Sequence, residues 1–492
     1  MDQRDVAEFG RTFHRFLDEV VRVADTTPAG ARSLADIVQD FVDADPTGLP
    51  VVSERFAHFE HPTVQVALDV LVDRSGTGSQ LLGVAGMGRE HHSLSELLVA
   101  SQRHRAFWAG AVDYVAVPVG VDDEVACVRF GLYLVLDGER RLAVLLRGAS
   151  PEMGRPPSLE VLAATAEDAH HWLSRLRDER AARNVLRGQV LSFEPSDVEP
   201  GIGPVRFHPR PDVARDDVVL PGGVLERVER QVLGVARHRG RLVAEGRHLK
   251  RGVLLYGPPG TGKTHTVRYL VGLLRAVTVV VLTGPSIRFV GEACALARTL
   301  QPALVVLEDC DLVAEDRSYA PFANPLLFTV LDEMDGLAPD SDVTFLLTTN
   351  RVDLLETALA QRPGRVDLAV ELPLPDAEGR ARLLSLYMDD VELTPADVER
   401  VVARSAGVPA SFVKELARRA TLFSAERGAS STEAVDVHAA LEELMEAQEA
   451  LTRRLLGSRD DEAPGRGDPG PGGWFAYVPK PESVAGGGPS GL

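Results

Sequence analysis

Val253-Leu254-Leu255-Tyr256-Gly257-Pro258-Pro259-Gly260-Thr261-Gly262-Lys263-Thr264 is the stretch on which the reading of this 492-residue chain turns. A short apolar run enters a Gly-rich loop, and residues at helical spacing follow. Strand, loop and helix in that order let a backbone cradle phosphates. Gly257, Gly260 and Gly262 allow the chain to curl so that successive N–H groups point at phosphate oxygens. The start of the next helix adds its partial positive charge to the same spot. Pro258, Pro259 and Thr261 complete the loop. Lys263 supplies a point charge for the outer phosphates, and the Thr264 hydroxyl a ligand for magnesium. A plain surface turn needs none of this order. The stretch predicts a nucleoside-triphosphate site.

Working outward, residues 216–375 alternate apolar runs with helical patterns. The runs are Val253–Tyr256, Ala276–Leu282, Leu304–Leu307 and Val343–Thr348. Continuous apolar strands separated by helices predict a parallel sheet covered on both faces. Two of these strands end in chemistry. Leu304–Leu307 leads into Glu308-Asp309, where one carboxylate can serve the magnesium shell and the next can polarise a water. Val343–Thr348 leads into Thr349-Asn350, whose amide can orient that water. Arg362-Pro363-Gly364-Arg365 follows, with two guanidinium groups on a turn.

Taken in order, these segments resemble the AAA family of ATPases. The likeness covers roughly residues 216–425 and includes Leu331-Asp332-Glu333-Met334-Asp335-Gly336. It implies a P-loop NTPase α/β fold with a parallel sheet and helices on both faces, followed by a small all-helical lid. It implies ATP and Mg2+ as ligands, Lys263 and Thr264 as the phosphate and magnesium contacts, Glu308 and Asp309 as the acidic pair, and Asn350 as a sensor. Arg362 and Arg365 would be arginine fingers acting on the neighbouring subunit's site, so a ring follows, a homohexamer in the family's usual form. Phe289 and Val290, in Arg288-Phe289-Val290-Gly291-Glu292, stand where the family places a pore loop that grips a polypeptide; in the other reading they are core residues. Ala406–Ser411 aligns loosely with the segment that meets adenine and ribose. Arg418-Arg419 reads as a solvated face.

The acidic pair departs from the family. Members place Asp first and Glu second; here the order is Glu308-Asp309, and Asp311 argues against a shifted register. A shorter acid facing the water predicts slow hydrolysis, because an error of ~1 Å in a reacting geometry costs around a hundredfold.

Around this module lie an N-terminal α+β region over residues 1–192 and a Pro-rich linker over 193–215. After the α/β domain (216–375) come the helical domain (376–457) and a Gly/Pro-rich tail (458–492), expected to be disordered. In the first region, Val6–Val23 has helical spacing, Ala111–Val117 reads as a strand, and Val125–Leu136 and Arg140–Leu146 flank a hairpin turn at Asp137-Gly138. Leu159–Leu186 reads as one long helix. Thr394, Pro395 and Asp397 announce a capped helix, and a last helix is expected from Ala434 to Leu456. His91-His92 and His170-His171 lack the spacing of metal ligands. In the tail, Trp474-Phe475-Ala476-Tyr477-Val478 forms an apolar island suited to a partner or to docking on the ring.

Composition narrows the function. With 53 basic against 72 acidic residues the net charge is −19, which argues against general affinity for nucleic acid. Cys127, Cys294 and Cys310 suggest neither a disulfide frame nor zinc. No apolar leader and no run of ~18 apolar residues appears, so a cytoplasmic protein without membrane contact is expected. No His-Glu-x-x-His occurs, and the closing residues lack the hydrophobic-Tyr-any ending that docks ring ATPases on proteasome cores. The reading is an ATP-dependent ring that remodels a protein client through a central pore. An ATP-gated assembly scaffold with weak hydrolysis is the alternative, and a nucleic-acid motor a more distant one.

Overall fold

The computed structural model describes residues 32–148, 156–195, 202–310, 340–351 and 366–455 apart from Ser75 and Arg105, together with Thr12, Asp332, Glu333, Gly336 and Ala338. Val6–Val23, apart from Thr12, the tail with Trp474–Val478, and Asp311, Arg362 and Arg365 lie outside the described residues.

The N-terminal part is a seven-stranded antiparallel sheet. Its strands are β1 (Val51–Arg55), β2 (Gln80–Ala85), β3 (Trp108–Gly110), β4 (Asp113–Pro118), β5 (Glu124–Asp137), β6 (Arg140–Arg147) and β7 (Ser158–Leu162). Their order is β1-β7-β6-β5-β2-β3, with β4 also on β5. The β5–β6 hairpin forms where the sequence places it, although its two loop residues are Gly138 and Glu139, since Asp137 pairs with Arg140. Gly138 has φ +64°, the left-handed region that favours glycine.

Alternation along β5 sends Phe130, Leu132 and Leu134 toward α1 (Leu34–Val42) and α3 (Leu94–His104), and Tyr133 and Val135 toward the opposite face. There α2 (His61–Arg74) and α4 (Ala166–Ala182) cover them, with Trp172 fully buried. A register shift inserts Arg129 opposite the Asp113–Tyr114 step, which puts Val128 on the face opposite Phe130. The single helix expected over Leu159–Leu186 is instead β7 followed by α4. Leu159 and Val161 alternate as strand residues do, and Thr165 then caps α4 by accepting from the Asp168 N–H at 3.1 Å.

The second sheet is the expected parallel one, extended at both ends. It comprises β8 (Val190–Pro195), β9 (Ile202–His208), β10 (Arg251–Tyr256), β11 (Thr278–Thr283), β12 (Ala303–Glu308), β13 (Val343–Thr349) and β14 (Leu368–Glu371). The order is β14-β10-β13-β12-β11-β8-β9, parallel except for β8–β9. One face packs on α5 (Val224–Glu229) and α6 (Lys263–Leu273), through Leu225, Val228, Val267, Leu270 and Val271. The other packs on α7 (Val290–Thr299), through Val290, Ala293, Cys294 and Ala297.

The described part of residues 193–215 is therefore not the linker that its prolines suggest. It finishes β8 and supplies β9, and β9 tolerates Pro204 because an edge strand can spare a ladder N–H. The Arg210 guanidinium then donates to the carbonyls of Gly188, Val271, Leu274 and Val277, binding the segment to the domain.

Four helices, α8 (Ala377–Tyr387), α9 (Pro395–Arg404), α10 (Ala410–Glu426) and α11 (Ala434–Leu455), form the lid around Leu384, Val401, Leu416 and Leu441. Thr394 caps α9 as its sequence announces, and the structure adds a capping box with Asp397. The Asp397 carboxylate also meets His438 of α11 at 2.8 Å. No helix among the described residues is long and apolar enough to cross a membrane.

One buried group gives the N-terminal domain a pH-dependent stability. His61, 4% exposed, hydrogen-bonds the Val128 carbonyl at 3.1 Å, and burial pushes its imidazole down to about 4. The unfolded chain takes up that proton near pH 6.5, the folded one only near 4, so folding binds fewer protons between the two. Stability should fall by roughly 3 kcal/mol from this group as pH drops through that window. Urea unfolding across a pH series, compared with His61→Gln, checks this: the variant should lack that part of the slope.

Candidate active site

The phosphate loop leaves the carboxyl end of β10, between β13 and β14. Gly257 has φ +146°, and a Cβ there would lie 2.2 Å from the Leu372 carbonyl oxygen. Backbone touches backbone at that point, so only glycine fits. Gly260 has φ +75°, and Ser411 of the lid fills the space where its side chain would be. Gly262, at φ +99°, caps α6 without a side chain, so the first N–H groups of that helix are left for a ligand.

Lys263 is 6% exposed and its ammonium donates to the carbonyls of Gly257 (2.8 Å) and Pro258 (2.9 Å). Thr261 also donates to Pro258, at 2.9 Å. The loop is thus braced from within.

Parallel register brings the acids to the same place. β12 ends at Glu308 and neighbours β13, which ends at Thr349. The Thr264 hydroxyl faces Glu308 and works to hold that acid's pKa down, which relates the first helical turn to the first acid. Asp309 follows in a left-handed conformation, φ +52°, which turns it out of the strand. Its N–H donates to Thr348 Oγ1 at 3.0 Å, and the Asn350 amide reaches its Oδ1 at 3.4 Å. Burial raises the Glu308 pKa, the Asp309 charge raises it further, and the Thr264 hydroxyl works against both. Two crowded carboxylates and a hydroxyl are hard oxygen donors, and a dication would relieve the very repulsion that lifts Glu308. The residues present therefore fit Mg2+.

Asp309 and Asn350 face a cleft of about 400 Å³, lined also by Pro259 to Thr266. Sequence reasoning missed much of the remaining wall: Asp217–Leu220 before α5, Leu383 and Tyr387 of α8, and Lys414 of α10. Of the segment expected near the base, Ala410 and Ser411 line the cleft. Ser411 is held there by its N–H bond to the Gly260 carbonyl at 3.0 Å.

Other sequence readings fare differently. Phe289 and Val290 do not project: they are 5% and 0% exposed, in the core between α7 and the sheet. Phe289 packs edge-on to Phe193, and the Arg288 guanidinium lies 4.7 Å from its ring centre. The turn Gly284–Phe289 is too short to lift these apolar side chains off the sheet, and burial is where they gain most. Arg418 and Arg419 pair with Glu415, and Arg419 also with Glu443.

A Gly257→Ala substitution should weaken nucleotide binding by at least about tenfold, because the loop must shift to free its Cβ from the Leu372 carbonyl. Titration with a fluorescent ATP analogue, with circular dichroism to confirm folding, measures it.

Comparison with known proteins agrees with this geometry. A profile described as "ATPase family associated with various cellular activities (AAA)" matches residues 253–374. The chain is 32% identical over 268 residues to the ATP-dependent zinc metalloprotease FtsH 3 of Sphaerobacter thermophilus, covering 51% of this chain and 54% of that one. It is 27% identical over 283 residues to the proteasome-activating nucleotidase of Archaeoglobus fulgidus, covering 54% of this chain and 70% of that one. With the 26S protease regulatory subunit 6A of Caenorhabditis elegans it shares 31% identity over 216 residues, covering 40% and 49%. The chain thus spans about half the length of two of these relatives. Over residues 253–374 the chain is similar to the AAA family of ATPases.

Proposed function

We propose that this chain hydrolyses ATP as a ring, a homohexamer, and uses the reaction to remodel a protein client in the cytoplasm. The observation that carries the reading is the meeting of the phosphate loop with Glu308, Asp309 and Asn350 at one edge of a parallel sheet, beneath a helical lid.

In this reading the N–H groups of the loop and the first turn of α6 bind the phosphates, and Lys263 neutralises the outer ones. Thr264 and Glu308 would hold Mg2+, which when bound draws charge from the phosphate oxygens. Asp309 accepts a proton from the attacking water, and Asn350 orients both that water and the carboxylate. Arg362 and Arg365 would enter the site of the adjacent subunit, so the ring completes each centre. The exchanged order of the acids makes turnover slow: the longer Glu308 reaches Thr264, and the shorter Asp309 is left to face the water.

Residues 1–192 are the part available to recruit the client, and Trp474–Val478 is a second candidate contact. Remodelling draws its support from relatives named as an ATP-dependent metalloprotease and proteasome-activating nucleotidases. It no longer draws support from Phe289 and Val290, so movement of a client through the pore would depend on other side chains. An ATP-gated assembly scaffold with weak hydrolysis has less behind it, since those names describe ATP-dependent action and nucleotidase activity.

Phosphate release by the purified chain should be slow and should disappear in Lys263→Ala; a rate indifferent to that change would sink the reading. Asp309→Asn should lower kcat about 100-fold with ATP affinity retained, as expected for a lost general base. Ring formation has its own check. Sedimentation should show ATP-dependent assembly, and Arg362→Ala should assemble and bind ATP while losing most turnover.

A further inference from the structure

The hairpin of β4 and β5 runs past the end of the first sheet. β6 pairs with β5 only from Phe130 onward and β2 only from Leu132, so Glu124–Val128 have β4 as their strand partner. On the other edge of β5, α2 closes the ladder. The Val128 N–H donates to Gln65 at 2.9 Å, and the Val128 carbonyl meets His61 at 3.1 Å. The outer edge of β4, by contrast, meets no strand among the described residues.

That open edge is apolar. Tyr114 to Val121 carry no charge, and Tyr114, Val115 and Val121 are 58%, 38% and 51% exposed. Edge strands are ordinarily guarded by charge, by bulges or by proline, because their free N–H and C=O groups template a further strand. Here the register shift at Asp113–Tyr114 and the proline at 118 lie at the two ends, and nothing guards the residues between them.

The tail holds a segment that fits this edge. Trp474–Val478 is five residues long, as is Tyr114–Pro118, and its aromatic and β-branched residues favour a strand. Gly472-Gly473 before it and Pro479 after it bound the segment. Charge sets its direction. Asp122, Asp123 and Glu124 are exposed at the tip of the hairpin, and Lys480 follows the island by two positions. A tail strand parallel to β4 brings Lys480 to that acidic tip. An antiparallel one carries it to the far end, beside Arg89, which pairs with Asp113. Reach is no obstacle: Trp474 lies 19 positions beyond Leu455, the end of α11, and that length of chain spans up to about 60 Å. The other terminus has helical spacing over Val6–Val23 and offers no comparable strand.

We propose that Trp474–Val478 adds to the first sheet as a strand on the outer edge of β4, parallel to it, with Lys480 over the acidic tip. Main-chain hydrogen bonds would hold the segment, and Tyr114 and Val115 would pack against its alternate side chains. The island then serves the chain itself, and is withdrawn from a client while it is seated. No residue of the nucleotide cleft enters this inference, so it stands apart from the ATPase reading.

Amide hydrogen exchange compares the intact chain with one ending at Gly470 and with Lys480→Glu. Peptides covering Tyr114–Val119 should exchange about tenfold faster in the shortened chain and by a smaller factor in Lys480→Glu. Peptides from β6 should not change, which confirms folding. Equal exchange over β4 in the intact and shortened chains overturns the proposal, whether the edge is then open or is covered by a second copy or a client. Lys480→Glu matching the intact chain overturns the parallel arrangement. A reciprocal measurement follows the tail. Chymotrypsin should cut after Phe475 and Tyr477 several-fold faster in Val115→Asp than in the intact chain, with circular dichroism showing that the variant is folded. Unchanged cleavage also overturns the proposal, since the tail would not be seated on β4.

Discussion

The parallel register of β10, β12 and β13 is the constraint on which the site depends. Arg251 pairs with Thr344, and Leu304 with the same Thr344 on the other side. Strands locked in this way end together, so the loop after Tyr256, the acids after Leu307 and the amide after Thr349 emerge at one edge. Each is well over thirty residues from the next along the chain. No local preference could bring them within a few ångströms; the hydrogen-bond ladder and the two apolar layers on its faces do.

Backbone contacts then set the detail. Gly257 lies against the carbonyl of Leu372, the residue just past β14, and Gly260 lies against Ser411 of the lid. The loop is shaped from both sides by segments far away in sequence, and its glycines answer close approach as much as left-handed dihedrals. Asp309 shows the same economy. Its left-handed backbone turns the carboxylate toward Asn350, while the Thr348 hydroxyl catches the N–H that the strand has released.

The N-terminal domain leans on the far end of the same sheet. Phe59 meets Phe193 with ring centres 5.7 Å apart, and Phe193 meets Phe289 at 6.4 Å. Arg187 donates to the Gln301 carbonyl close by. These aromatics make a continuous apolar seam from the first domain to the turn before α7. That seam accounts for the burial of Phe289 and Val290: the position occupied by a projecting grip in the family reading is occupied here by packing.

The sequence by itself determined the phosphate loop, the central strands, the β5–β6 hairpin, the cap of α9 and the identity of the acidic pair. Each is a short-range pattern, in which apolar period, glycine placement and capping residues act within a few positions. Only the tertiary structure decided that residues 193–195 and 202–208 are sheet and not linker, because edge-strand pairing leaves no signature in a Pro-rich segment. It alone decided that Phe289 faces the core, since a buried and a projecting aromatic are spelled alike. It alone placed Asp217–Leu220, Tyr387 and Lys414 around the cleft. A wall built from three distant segments exists only once the sheet and lid have closed, and burial and register are properties of the assembled chain.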